Sequence, residues 1–226
     1  MQAAPGTAMK PYPPPPQPEP LLPVQLTLLA TIALQASFAH RLILGPRWLL
    51  PGIEGGLLLA LIGVTPSTLK TQDRHRRAFA LLVTIVLSAV NIYSLVSLGH
   101  HLLKGSVANG HELILSGMVI WLTNVVIFGV WYWQTDRGGP GRRALGQDDY
   151  PGFLFPQMTD DAIHPPHWRP QFIDYLYVSL TNAAAFSPTD TMPLTRGVKF
   201  AMGMQSLVSL TTLGLIVSRA VNILPQ

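Results

Sequence analysis

Four stretches of this chain run for 19 to 23 residues without a charged side chain: Leu21 to Ala39, Ala78 to Gly99, Leu113 to Thr135 and Phe200 to Ser218. A helix needs about 20 apolar residues to cross the hydrocarbon layer of a membrane, since it rises about 1.5 Å per residue through about 30 Å. A fifth block, Trp48 to Val64, carries one charge, Glu54, near its start. The whole chain shows the same economy: 12% of its 226 residues are charged, against about 25% in soluble domains. The expected fold is all-α, a polytopic helical membrane protein with about five transmembrane helices. Its first partner is the lipid bilayer.

The expected order is a proline-rich arm over 1–20, four transmembrane helices over 21–133, a polar loop over 134–170, and a last unit over 171–226. The arm holds eight prolines, including Pro13 to Pro16. That composition favours a disordered, extended segment and lacks the basic, apolar and small-residue regions of a signal peptide. A proline-binding partner is the sharper alternative. The fourth span closes on Trp131-Tyr132-Trp133, an aromatic belt at the membrane edge. The polar loop exceeds a usual connection and reads as a functional cap or a mobile segment. Its paired acids at 148–149 and 160–161 read as a solvated face.

Several functions are excluded or left without a signal. The chain has no cysteine, so disulfides and thiolate metal sites are ruled out. A net charge of +4 reflects basic loops beside the membrane and not a nucleic-acid surface. His100, His101 and His111 flank a connection, and His164 and His167 are separated by two prolines. Two imidazoles three apart could share a metal, but no carboxylate or further histidine stands at a helix-compatible spacing to complete the three or four ligands of a zinc site, so no metal and no cofactor is expected. No Gly-rich phosphate loop, nucleophile elbow or His-Glu-x-x-His motif is present, and an enzyme is not expected. No arginine ladder marks a voltage sensor.

Near the C-terminus, Tyr175 to Phe186 is apolar but short, roughly 18 Å as a helix, and Pro188 ends it. A re-entrant half-helix fits it better than a crossing. Asp174-Tyr175-Leu176-Tyr177-Val178-Ser179 resembles the entry of a potassium-channel pore helix. Asp190 falls where the aspartate after the selectivity filter would fall, Pro193-Leu194-Thr195 resembles the exit, and Gly197 to Arg219 resembles the inner helix. The resemblance covers about 45 residues, with the fourth span as the outer helix, and extends to a group of uncharacterised bacterial multi-pass membrane proteins that end in a comparable unit. It implies a bacterial inner (plasma) membrane and, for a channel, a homo-tetramer handling cations.

The chain departs from that pattern where the ion would sit. Ser187-Pro188-Thr189 stands in place of Gly-Tyr-Gly, and Ala185-Phe186 in place of Thr-Val. A filter aims successive backbone carbonyls at one axis, with angles that glycine reaches cheaply and that proline forbids to itself and its predecessor. The expected role is therefore a non-conducting structural or regulatory membrane component. In that reading Ser-Pro-Thr-Asp is a turn, and Ala183, Ala184 and Ala185 allow close helix approach. The alternative is a weakly selective tetrameric cation channel with an Asp190 ring at its mouth. Thr181, Asn182, Ser187, Thr189 and Asp190 are the pore-loop candidates.

Glu54, Asn91, Asn124 and Gln205 are the polar candidates within the spans: Glu54 near a span's start, reaching the headgroup region or serving as a proton site, and the three amides for helix-to-helix bonding or for lining a polar path. With five spans and the N-terminus inside, eleven Lys and Arg residues fall on the cytoplasmic side and four outside, as the positive-inside rule prefers. A potassium-channel pore helix instead dips in from outside, so the two criteria give opposite orientations.

Overall fold

The computed structural model describes residues 19–38, 52, 55–56, 74–104, 110–144, 149–159, 168–185 and 190–223. The fold is all-α. Its helices are α1 (Leu22–Phe38), α2 (Arg74–Lys104), α3 (Gly110–Thr135), the short α4 (Pro140–Ala144), α5 (Phe172–Ala185) and α6 (Arg196–Ile223). Two strands of two residues each, β1 (Phe153–Leu154) and β2 (Met192–Pro193), pair antiparallel, with Phe153 opposite Pro193.

Three helical segments are long and apolar enough to cross a membrane: Arg77–Leu103 in α2, Glu112–Gly138 in α3 and the 3₁₀ turn that follows it, and Arg196–Val221 in α6. The protein is a membrane protein. The expected second span, with Glu54, lies outside the described residues apart from Gly52, Gly55 and Gly56, which are helical. α2 is longer than the expected span and takes His100 and His101 into its last turns.

α3 is the axis of the molecule. It packs against α1, α2, α5 and α6, and 61% of its apolar window is buried against 28% for α2 and 22% for α6. Large apolar side chains such as Val96 and Leu207 are left exposed on the outer faces of these helices.

α6 runs antiparallel to α3, since Tyr132 bonds to Gln205 and Asn124 to Ser209. α5 starts beside the end of α3, where Tyr175 meets Asp136, and descends to place Ser179 against Val125. The chain then comes back to the starting end, because β2 pairs with β1 there and Leu194 donates to the Gly152 carbonyl. α5 therefore enters and its chain leaves at one end of the molecule. Its 14 residues span about 21 Å, less than a full crossing. The Asp174 carboxylate accepts the Gln171 N–H at 2.7 Å, the return half of a capping box.

The polar loop is a folded cap at that end. Asp136-Arg137-Gly138 forms one 3₁₀ turn, and Gly138 (φ 77°) and Gly139 (φ 94°) reverse the chain into Pro140 at the start of α4. Phe153 and Tyr175 are wholly buried beneath the cap. The rings of Tyr132 and Phe153 meet edge to face at 5.2 Å, and those of Phe155 and Tyr175 at 5.6 Å.

α3 and α5 approach closely at Gly129, where an added Cβ would lie 3.2 Å from the Leu176 Cα. Gly129→Val is expected to lower the stability of the detergent-purified protein by about 2 kcal/mol through overpacking. Gly203→Ala, with nothing within 4 Å of the new atom, is expected to leave the thermal midpoint unchanged or raise it.

Candidate functional site

Gln205 lies nine residues into α6, about 14 Å from its first residue and inside the apolar segment Arg196–Val221. It is wholly buried between α3, α5 and α6. Its amide nitrogen donates to the Ser179 carbonyl at 2.9 Å and to the Ser179 Oγ at 2.6 Å. Its amide oxygen accepts from the Tyr132 hydroxyl at 2.6 Å and from Asn182 Nδ2 at 2.8 Å. Asn182 gives a second bond to the Met202 carbonyl at 3.0 Å and accepts from Ser206 at 3.4 Å. Ser179 in turn donates to the Val125 carbonyl at 2.6 Å, and Asn124 bonds to Ser209 at 3.1 Å. Both amides thus spend their donors and acceptors inside the protein. This is what hydrocarbon demands, since an unpaired polar group there costs several kcal/mol.

A second, charged cluster sits under the cap. Arg143 is 2% exposed, and its guanidinium grips Glu19 with two bonds, at 2.6 and 2.9 Å. It also donates to the carbonyls of Trp133 and Asp136 at 2.9 and 2.7 Å, closing off the C-terminal end of α3. The Tyr175 ring lies 5.4 Å from it. Burial by itself would lower the Arg143 pKa, but Tyr175, Glu19 and Asp136 outweigh that and raise it, so the guanidinium keeps its charge. Asp136 accepts from the Gly152 N–H and the Tyr175 hydroxyl, each at 2.6 Å. Glu19 also accepts from Trp133 Nε1 at 2.7 Å. One ion pair therefore ties the start of α1 to the end of α3, and Asp136 ties the same end to α5 and the cap.

The structure gathers Asn124, Asn182 and Gln205 into one network. Asn91 is buried on α2. Thr181 turns back to the Tyr177 and Val178 carbonyls of its own helix, and Asp190 is exposed at the approach to β2. Ser187, Thr189 and Glu54 lie outside the described residues. Of the small residues expected to let helices approach, Ala183 is wholly buried but Ala184 is exposed. Close packing through Ala184 is corrected accordingly: on a helix the two neighbours point about 100° apart.

In the stretch read as a polar loop, Asp136, Arg137 and Arg143 are buried, and Glu19, at the end of the stretch read as an extended arm, is held by Arg143. Among the described residues no three His, Asp or Glu side chains gather as a metal site. No family model, curated protein or solved structure matches the chain.

Tyr132→Phe removes one bond to Gln205 and is expected to cost about 0.6 kcal/mol, with Gln205→Leu costing about 2 kcal/mol. On the Gln205→Leu background, Tyr132→Phe should cost nearly nothing, which a double-mutant cycle in detergent unfolding measures. Glu19→Gln leaves the buried Arg143 charge without its counter-ion and is expected to cost about 3 kcal/mol. Adding Arg143→Met removes the stranded charge but also the bonds to the Trp133 and Asp136 carbonyls, and is expected to recover only part of that loss.

Proposed function

We propose that this is a multi-pass protein of a bacterial inner membrane, not an enzyme, in which a unit resembling a potassium-channel pore serves as a non-conducting structural or regulatory component. The observation that carries this reading is the closure of Gln205 and Asn182 on each other and on α3. A conducting pore unit needs polar groups turned to an axis that ions and water reach. Here the buried face of α5 is bonded to its own neighbours, and the residues that follow it lack the filter glycines. On this reading α5 is a packing element that fastens α6 to α3.

One observation favours a second reading, a weakly selective tetrameric cation channel. Asp190 is exposed, and α5 and α6 keep exposed apolar faces at Tyr177 and Leu180 and at Leu207 and Leu210, which a homo-oligomer would cover. A ring of four Asp190 carboxylates would attract cations without stripping their water.

The absence of native cysteine makes the two readings separable. Single cysteines at Leu207, Leu210 and Gly214 are expected to resist a charged methanethiosulfonate in reconstituted vesicles, since a thiol in lipid stays neutral and unreactive. Rapid modification at helical spacing, together with a cation flux that Asp190→Asn lowers, would establish the channel instead.

A further inference from the structure

We infer that a pocket beside the cap binds the headgroup phosphate of an anionic phospholipid. This rests on the membrane placement proposed above and does not depend on whether the pore-like unit conducts. The pocket holds about 430 Å³, within the ~300–1,000 Å³ of clefts that take small ligands. It opens where Arg77, Gly138 and Gly197 meet. Those residues stand at or beside the ends of the three apolar segments, Arg77–Leu103, Glu112–Gly138 and Arg196–Val221. Its depth is therefore that of lipid headgroups.

The lining is mixed: Arg77, Arg137 and Thr195 are among its polar residues, Arg137 being buried and held by Asp136 and Met158, and Trp131, Val198 and Ala201 are among its apolar ones. Arg77 bends over the turn after α3: its Nε would lie 3.9 Å from a Cβ on Gly139. Arg137 holds a left-handed backbone, φ 51° and ψ 34°, a conformation that costs a residue with a Cβ and gathers at ligand sites. The one acid in the lining, Asp149, is paired with Arg142 at 2.7 Å. Asp136, behind it, is occupied by the Gly152 N–H, the Tyr175 hydroxyl and the Arg137 guanidinium, the last at 3.6 Å. The lining is left with a net positive charge, and Arg74, Arg196 and Lys199 stand exposed at the same end.

Charge calls for an anion, and the apolar part of the lining decides which kind. A free phosphate would gain nothing from Trp131, Val198 and Ala201. An acyl chain would continue from them along α6, where Phe200 is 72% exposed. Basic pockets between membrane helices recognise anionic headgroups in this way. The pocket also has room, since a Cβ on Gly197 would meet no atom within 4 Å.

The test uses the purified full chain in neutral detergent, with thermal midpoint and tryptophan fluorescence as readouts. Dioctanoyl phosphatidylglycerol is expected to raise the midpoint saturably, while dioctanoyl phosphatidylcholine and inorganic phosphate do not. Arg77→Gln should weaken the phosphatidylglycerol effect at least tenfold. Gly197→Leu, which fills open space on the α6 wall, should abolish it without lowering the unliganded midpoint. An equal shift from phosphatidylcholine would overturn the charge argument, and an equal shift from phosphate would overturn the lipid. A phosphatidylglycerol effect unchanged in both variants would overturn the pocket.

Discussion

A side-chain amide inside an apolar membrane segment has no water to complete its hydrogen bonds, and the architecture of this protein follows from how Gln205 meets that constraint. Its four bonds reach Ser179 (twice) and Asn182 on α5 and Tyr132 on α3. Those residues fix the depth of the half-helix, its rotation and the register of α6 against α3. Apolar packing could not do this alone, because side chains facing lipid and side chains facing another helix have nearly the same hydrophobic energy. Small residues then let the backbones close in, as Gly129 does against Leu176.

Above this seam the same problem is solved with charge. A helix end leaves carbonyls without intrahelical partners, and α3 ends under a cap where little water reaches. Arg143 donates to the carbonyl of Trp133, in the last turn of α3, and to that of Asp136, just beyond it, and is itself neutralised by Glu19, from before the first helix. The arrangement is demanding, since a buried cation without its partner is strongly destabilising. It also joins segments that are 124 positions apart in the chain. The cap becomes part of the fold through these bonds and is more than a connection between spans.

The proposed function rests on the contrast between the two levels. In the seam, the Gln205 and Asn182 amides are bonded to one another and to their neighbours, which on that reading suits a fastening and not a pathway. The cap end carries a pocket lined by basic and apolar residues.

The sequence by itself determined the helices and the class of protein. Uncharged runs near 20 residues leave little alternative to membrane-crossing helices, and Pro188 stopping a short apolar run marks the half-helix. It also singled out Asn124 and Gln205, because a polar residue inside an apolar run stands out, and Asn182, through the pore-helix resemblance. It could not show that they meet, since sequence spacing says nothing about which helices become neighbours. The charged cluster was hidden for the opposite reason. Asp136, Arg137 and Arg143 lie in a stretch full of polar residues, and Glu19 in a proline-rich arm, so nothing local separated them from solvated charges. Only the tertiary structure buried them, because burial and pairing depend on what folds over a residue, and here that comes from distant parts of the chain.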